Sequence, residues 1–358
     1  MKRKLILVFV LIISATLFFS CSGAGKDTAG TSDETVTKDV TMKTLDIVKE
    51  RGYLIVGVNA SNPGFSYLDS DGKYVGFEAD MGRAVAAAVL GDPEKIQYRP
   101  LTSKERFAAL QSGEIDLLIR TATHTLTRDT DLGLNFTVPY YYDGQTFMVR
   151  KDSGIKTIED LEGASICVLT GSTSEANLSD VMASRNLTYK PVLYENTDEL
   201  VAAFLAGRAD AWTNDRAGFM TRLQTIIDPA VYTVLEETIS KEPLAMGVRQ
   251  GDDQWFDIIN WSLYGLFFGD EHGITSSNVN KIRNSSKKPE ELAFLGMRSD
   301  LGAKLGLSND WAFNMISKAG NYSEIFNKNL SAASGISISR GFNQPWTDGG
   351  LLYAPPFR

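Results

Sequence analysis

Two stretches of the chain repeat the same order of predicted elements. In residues 103–116 and 197–210, the apolar spacing of an amphipathic helix ends in a glycine turn, and an aspartate opens a strand. Strands and helices alternate around both stretches, and 358 residues suffice for two domains with full cores. Such alternation predicts mainly parallel sheets with helices on their faces. We therefore expect an α/β protein built from two similar halves.

A polar segment follows the strand that the first stretch opens. The apolar run Ile115–Ile119 leads into threonines at 121, 123, 125 and 127, and then into Arg128. A guanidinium is a planar fork of donors that fits a carboxylate, and hydroxyls add further hydrogen bonds. Ligands of α/β sheets bind at such strand ends. The segment favours a small carboxylate ligand, although a solvated turn with a surface arginine also explains it.

Two loops of the second half carry complementary groups. The turn Thr170–Glu175 places a glycine and hydroxyl residues at a helix start, where free backbone amides hold an anion. An ordinary capping box explains the same residues. A later strand ends at Asp215, in a loop comparable to the threonine-rich one. Two halves that face each other would place Arg128 and Asp215 on opposite walls of one cleft.

The N-terminal residues indicate export. Residues 2–19 combine a basic start with a short apolar run, which is the layout of a secretory signal. Cys21 follows a small residue, as in a loose lipoprotein box, so we expect residues 1–21 to be a lipoprotein-type signal and Cys21 to carry lipid. Cleavage after Ala24 is the alternative. Residues 22–43 have few large apolar side chains and are predicted to form a flexible tether.

Charge and cysteine content exclude several classes of partner. The formal net charge is −8, and removal of the three basic residues at 2–4 lowers it by 3, to −11. Nucleic acid is therefore not an expected partner, because phosphate binding needs a basic surface. Apart from Cys21 the only cysteine is Cys167, so we expect no intramolecular disulfide. Two histidines far apart in sequence also predict no metal site.

Several stretches resemble a known family. They are Gly76–Met81, Leu101–Gly113, the threonine-rich segment to Arg128, Ile239–Leu244, Arg249–Asp257 and Tyr353–Arg358. Over most of residues 44–358 the chain resembles the general L-amino-acid-binding branch of bacterial extracellular solute-binding protein family 3. The resemblance implies a two-lobed type II periplasmic-binding-protein fold, with a ligand cleft between α/β lobes. It also implies capture of L-amino acids, polar ones and with broad specificity, by hinged closure and delivery to the permease of an ABC transporter, without catalysis or cofactor.

The resemblance assigns a carboxylate site to both lobes. In the first lobe, Thr123 and Arg128 match residues that hold the ligand carboxylate, and Thr121 matches a backbone contact. In the second lobe, Ser172 and Thr173 match a second carboxylate clamp. The residue patterns alone already indicate these two polar loops as sites for an anion.

Other residues are assigned to the amine and the side chain of the ligand. Asp215 matches the acid that pairs with the α-amino group. His124 stands where this branch usually has tryptophan, so we expect it to line the side-chain end of the site. The aromatic residue that packs on the ligand in related binders has no clear match, and Phe65, Tyr140 and Tyr141 are the candidates.

The resemblance also sets the domain organisation. It predicts lobe 1 at residues 44–145 and 247–358, the latter with a C-terminal extension, and lobe 2 at 146–246. We expect a monomer in the periplasm or at the cell surface, held to the membrane only through lipid. The alternative is a periplasmic enzyme on the same scaffold, such as a cyclohexadienyl or arogenate dehydratase. Its acid or base would be Asp215 or His124.

Overall fold

The computed structural model describes residues 43–358, so the predicted signal, Cys21 and most of the predicted tether lie outside the described residues. The helices are α1 (Thr44–Arg51), α2 (Phe77–Leu90), α3 (Arg106–Gln111), α4 (Leu126–Asp131), α5 (Thr173–Ser184), α6 (Thr197–Leu205), α7 (Arg216–Leu223), α8 (Asp253–Glu271), α9 (Val279–Ser285), α10 (Pro289–Phe294), α11 (Leu301–Leu305), α12 (Trp311–Ala319) and α13 (Tyr322–Leu330). The strands are β1 (Leu54–Val58), β2 (Ser61–Asn62), β3 (Ser66–Leu68), β4 (Tyr74–Val75), β5 (Ile96–Pro100), β6 (Leu117–Leu118), β7 (Leu134–Asp143), β8 (Gln145–Arg150), β9 (Ser165–Leu169), β10 (Lys190–Tyr194), β11 (Ala211–Asp215), β12 (Tyr232–Val234) and β13 (Glu242–Arg249).

Glycines end the first two helices. Gly52 and Gly91 have φ angles of 82° and 70°, in the left-handed region that residues with a side chain rarely adopt. In this conformation their N–H groups close the last helical turn on the carbonyls of Val48 and Ala87. The chain can then turn directly into the next strand.

Two five-stranded sheets organise the chain. The first has the strand order β5-β1-β6-β13-β7, and the second has the order β10-β9-β11-β8-β12. In each sheet the first three strands pair in parallel, and the other two pairings are antiparallel. The sheets are therefore mixed, because β7, β8 and β13 carry the chain between them. We call the part built on the first sheet lobe 1 and the part built on the second lobe 2.

The chain passes between the lobes at two neighbouring places. Gly144 alone separates β7 of lobe 1 from β8 of lobe 2. On its return the chain enters the first sheet at Glu242, which pairs with Asp143, the last residue of β7. A Cβ atom on Gly144 would lie 3.0 Å from the carbonyl oxygen of Ser240. The two crossings therefore pack directly against each other and form one hinge region.

The C-terminal helices complete the core of lobe 1. Helices α12 and α13 pack on α2, and α8 contacts all three. Trp255, Trp311 and Phe77 are fully buried in this core, and each apolar side chain of this kind stabilises the fold by about 1.5–3 kcal/mol. Lobe 2 has separate, smaller apolar clusters around Phe147 and Trp212. Each lobe therefore has its own core, and the cleft between them is free to be polar.

Candidate functional site

A polar cavity lies between the two lobes. Its volume is about 60 Å³, which is room for roughly four to six water-sized groups at about 10–15 Å³ each. It is lined by Asn59, Asn62, Phe65, Ser103, Arg106, Arg120 and Thr121 of lobe 1, by Asp143 of the hinge, and by Leu169, Ser172, Thr173, Ser174, Thr197, Trp212, Thr213, Asn214, Asp215 and Gly218 of lobe 2. The cavity suits a small, polar ligand.

The lobe 2 wall combines a carboxyl group with a helix N-terminus. Asp215 is the last residue of β11, and its Oδ1 atom is buried without a hydrogen-bond partner. Ser172 caps α5: its hydroxyl accepts from the Glu175 amide at 3.2 Å and donates to the Leu169 carbonyl at 2.6 Å. The Thr173 amide begins the helix and has no intrahelical acceptor. This wall can therefore accept a cation and donate to an anion.

Two buried arginines form the lobe 1 wall. Arg106 begins α3; its Nη1 donates to the Arg120 carbonyl at 3.1 Å, and its Nε–H has no acceptor. The Arg120 guanidinium donates to the Leu101 carbonyl at 2.6 Å and to the Ser103 hydroxyl at 3.1 Å. Burial lowers the pKa of both groups, but a guanidinium in a protein stays a cation. The Arg106 Nε–H of lobe 1 is thus a buried charged donor that lacks an acceptor.

The loop after β6 is held in a strained conformation beside the cavity. Thr121 has a φ angle of 36°, which a β-branched residue rarely adopts. Its N–H donates to buried Glu78 at 2.5 Å, and Glu78 also accepts from the hydroxyls of Tyr140 at 2.5 Å and Ser66 at 3.1 Å. Burial raises the pKa of Glu78, and these hydrogen bonds oppose the rise. Glu78 therefore fixes the position of Thr121.

Two unsatisfied atoms define the chemistry of the cavity. Within residues 43–358, the buried side-chain atoms without a hydrogen-bond partner are Arg106 Nε and Asp215 Oδ1. Leaving such a group unpaired costs about 1–3 kcal/mol, and more for a charge. One is a donor on lobe 1 and the other is an acceptor on lobe 2. A molecule with a carboxylate and an ammonium close together would satisfy both atoms and bridge the lobes.

The carboxyl groups beside the cavity also favour a bound cation. Burial raises the pKa of Asp143 to about 7, against two backbone hydrogen bonds that lower it. Burial raises the pKa of Asp215 well above its usual range, and the nearby carboxylates of Asp143 and Glu242 add to this rise. An ammonium between them would stabilise their ionised forms. We therefore expect ligand binding to be coupled to loss of a proton from this group.

The structure brings together five of the residues predicted to bind ligand. The cavity is lined by Phe65, Thr121, Ser172, Thr173 and Asp215. Five others are not among its lining residues: Thr123, His124, Arg128, Tyr140 and Tyr141.

Arg128 and Thr123 interact with each other beside the cavity. Arg128 Nη1 donates to the Thr123 carbonyl at 2.8 Å, and the guanidinium lies over the Phe107 ring at 5.0 Å. The Thr123 hydroxyl donates to Glu242 at 2.5 Å. Both residues therefore have protein partners at the seam between the lobes, and their contact with a ligand carboxylate stays a prediction.

His124 and Tyr140 have partners elsewhere in lobe 1. His124 stacks on Phe136 with 5.1 Å between ring centres, and its Nε2 lies 3.6 Å from Asp129 Oδ1. Tyr140 is fully buried, with its hydroxyl on Glu78. Their roles at the ligand side chain stay predictions. Nor does either residue join a metal site, since the described range has no group of three or more histidine, cysteine and carboxylate side chains arranged to hold an ion.

Sequence reasoning missed Arg106, Asp143 and Glu242. One feature could have indicated a role for Arg106. It is the first residue of α3, where the helix dipole disfavours a cation. A role other than helix formation therefore explains an arginine at this position. Asp143 and Glu242 lie in extended segments. Glu242 belongs to Ile239–Leu244, one of the stretches that carry the resemblance, but the resemblance assigns no role to it. Only the pairing of β7 with β13 brings them together at the hinge.

Two α/β lobes that are joined by a hinge and enclose a polar cavity define a periplasmic-binding-protein fold. The family model for bacterial extracellular solute-binding proteins, family 3, matches residues 54–267. The chain belongs to this family.

Similar proteins cover nearly the whole chain. General L-amino acid-binding periplasmic protein AapJ of Rhizobium johnstonii is 49% identical over 317 residues, which is 88% of this chain and 93% of AapJ. Glutamate/glutamine/aspartate/asparagine-binding protein BztA of Rhodobacter capsulatus is 47% identical, over 88% of this chain and 93% of BztA. A structure of a periplasmic binding protein from Brucella ovis with glutathione bound has a TM-score of 0.86 and 43% identity, covering 88% of this chain and 100% of that chain.

Proposed function

We propose that the protein is an extracytoplasmic solute-binding protein that captures L-amino acids by closure of its lobes and delivers them to an ABC permease. One observation carries the proposal: the unpartnered Arg106 Nε–H and Asp215 Oδ1 line the same cavity from opposite lobes. An amino-acid zwitterion carries the two complementary charges on one carbon. Its binding would satisfy both atoms and would hold the lobes together.

The similar proteins support this ligand class. AapJ is named for general L-amino acids and BztA for four amino acids with acidic or amide side chains. Glutathione, bound in the Brucella ovis protein, carries a free α-amino and α-carboxylate group at its glutamyl end. A second cavity of about 140 Å³ shares Asn59, Arg120 and Thr197 with the first. We propose that polar side chains, including long ones, extend toward it.

Calorimetric titration with the twenty L-amino acids and with glutathione tests the proposal. We expect binding of several polar amino acids. Glutarate and γ-aminobutyrate should bind far more weakly than glutamate, because each lacks one of the two α-carbon charges. If none of the amino acids binds, or if glutarate binds as tightly as glutamate, the proposed function is wrong.

We further propose that the protein catalyses no reaction. Of the two residues suggested as an acid or base, His124 is stacked on Phe136 and does not line the cavity, and Asp215 lines the cavity but would be paired with the ligand ammonium. A binder needs matched ground-state contacts and no group that acts only in a transition state. Incubation with prephenate, arogenate and cyclic amino acids should give no product, whereas product formation would favour the dehydratase alternative.

The proposed location rests on the sequence and on the relatives. AapJ is named as a periplasmic protein, and we propose that this chain is also exported and is held to the membrane by lipid on Cys21, as a monomer. No helix within residues 43–358 is long and apolar enough to cross a membrane.

A further inference from the structure

Glu242 is a buried carboxylate at the hinge to which the sequence assigns no role. It is 1% exposed and is the first residue of β13, where the chain returns to lobe 1. Its backbone is fixed to lobe 1 by pairing with Asp143 on β7. Its side chain does not line the cavity. Its partners therefore show what it does.

Four side chains donate hydrogen bonds to this carboxylate. Oε2 accepts from the hydroxyls of Thr123 at 2.5 Å and Thr173 at 3.0 Å. Oε1 accepts from Asn177 Nδ2 at 2.8 Å and from the Ser240 hydroxyl at 2.5 Å. The two threonine hydroxyls are also 3.2 Å apart. All of the acceptor sites of the carboxylate are thus directed to partners within the protein.

The donors come from both sides of the hinge. Thr123 belongs to lobe 1, and Ser240 belongs to the crossing segment next to Glu242. Thr173 and Asn177 are on α5 of lobe 2. If α5 moves away from β13, both of its hydrogen bonds to Glu242 break while the other two remain. Hydrogen bonds to a charged group are stronger than those between neutral groups.

We propose that Glu242 is a positioning residue that holds α5 of lobe 2 against lobe 1 and thereby sets the fraction of closed protein. Its effect on affinity rests on the proposed function. Glu242 does not itself line the cavity, and the one cavity residue it bonds, Thr173, is predicted to face the carboxylate that all amino acids share. It therefore contributes equally to the binding of every amino acid that requires closure. Loss of its contact with lobe 2 raises the dissociation constants of different amino acids by one common factor.

Asn177→Ala and Ser240→Ala form a matched pair of test variants. Each removes one donor to the same atom, Oε1 of Glu242, and neither residue lines the cavity. Of these two residues, only Asn177 reaches Glu242 from lobe 2. The Ser240 hydroxyl also accepts a long hydrogen bond from the Gln145 N–H, at 3.4 Å, within the crossing itself. The second bond of Asn177, to Gln145 Oε1 at 2.9 Å, lies within lobe 2 and is independent of lobe separation. Glu242→Gln, which keeps the side-chain size, is a third variant with a larger expected effect.

Distances between spin labels report closure without any ligand. Labels at Lys95→Cys in lobe 1 and Arg208→Cys in lobe 2 occupy exposed positions. In the ligand-free protein, we expect Asn177→Ala to shift the distance distribution to longer values and Ser240→Ala to leave it unchanged. Calorimetry with L-glutamate and L-glutamine should show an increase of about ten-fold in both dissociation constants for Asn177→Ala, which is about 1.4 kcal/mol.

Three results would overturn the proposal. Equal distance distributions for Asn177→Ala and wild type would show that Glu242 does not hold the lobes together. Opening by Ser240→Ala as large as that by Asn177→Ala would point to a general loss of stability. A changed ratio of glutamate to glutamine affinity would place Glu242 in contact with the ligand. If wild type binds neither amino acid, the proposed function fails, while the label distances still test the contact between lobes.

Discussion

Replacement of Asp215 by asparagine should change ligand binding and protein stability in opposite directions. The substitution keeps the size of the side chain and removes the carboxylate whose Oδ1 is buried without a partner. A ligand ammonium then loses its charged acceptor. In the ligand-free protein, however, the same substitution removes a carboxyl group that burial and neighbouring carboxylates hold at a raised pKa.

The expected loss of affinity follows from the environment of the pair. Loss of one partner of a buried charge pair costs about 3–5 kcal/mol, which is roughly a hundred-fold to several thousand-fold in affinity at 1.4 kcal/mol per decade. The raised pKa of Asp215 means that wild type must give up a proton to bind. We therefore expect Asp215→Asn to lose affinity by the lower end of this range at pH 6. The loss should be larger at pH 8, where ionisation of Asp215 in wild type costs less.

The raised pKa of Asp215 also determines whether Asp215→Asn stabilises or destabilises the ligand-free protein. A carboxyl group whose pKa is higher in the folded protein destabilises it above the ordinary pKa, about 3.9, and the penalty grows until the folded pKa is passed. Ligand-free Asp215→Asn should therefore unfold at a higher temperature than wild type at pH 7 to 8. The difference should disappear below about pH 4.

Calorimetry with L-glutamine and thermal unfolding followed by circular dichroism measure the two effects. Asp180→Asn is the control, since it removes an exposed carboxylate from the middle of a helix in the same lobe and should change neither. Unchanged affinity of Asp215→Asn would show that the amine is held elsewhere. Loss of both affinity and stability would show that Asp215 has a structural role, and the assignment of the cavity would be wrong.

Four further predictions address other parts of the molecule. Because burial raises the pKa of Asp143 to about 7 and a bound ammonium favours its ionised form, affinity for L-glutamine should rise between pH 5 and 7, by up to about ten-fold per pH unit for each proton released; a flat calorimetric profile would contradict this. Arg106→Lys keeps the charge and loses the free Nε–H, so it should weaken amino-acid binding at least about ten-fold, whereas Arg99→Lys, at an exposed position, should not. Gly144→Ala should lower the unfolding temperature, because its Cβ would overlap the Thr238 methyl group and lie 3.0 Å from the Ser240 carbonyl oxygen; an unchanged temperature would mean that the crossings can separate freely. Cys21→Ser should release the protein from membranes, since stable anchoring depends on acyl chains, and unchanged fractionation of the variant would rule out the lipid.

Local patterns predicted the fold because its elements obey local rules. The α/β fold is confirmed. The helical spacing of Met81, Val85 and Val89 also predicts a helix, which is α2 at Phe77–Leu90, closed by Gly91. The central strand, expected at 115–119, is only Leu117–Leu118. The strand is short because of its neighbour β13, which pairs with β6 at a single position, Gly247 with Leu118. A strand's length depends on its neighbours, which the apolar run does not reveal.

The site was less accessible to sequence reasoning because it combines residues distant in the chain. Asp215 was predicted from its place at a strand end, and it lines the cavity. Arg106 was interpreted as part of an amphipathic helix, since its spacing places it there, and no local feature says that the start of α3 faces lobe 2. The carboxylate of Glu242 meets Thr173 only across 69 residues of sequence. Such contacts arise when two lobes meet and have no periodic signature.

The pairing of Asp143 with Glu242 has a consequence for how such proteins diversify. Opposed residues of an antiparallel pair have Cα atoms about 5 Å apart, so lobe 2 leaves and re-enters lobe 1 at nearly one point, like a domain inserted into a surface loop. Exchange of residues 144–241 between relatives would then need no change in the path of the host lobe. Such a graft would transfer Asp215 and the N-terminus of α5 together. It would leave Arg106 and Arg120, which form the lobe 1 wall of the cavity, in place. Two halves of a ligand-recognition surface could thus be recombined as separate modules.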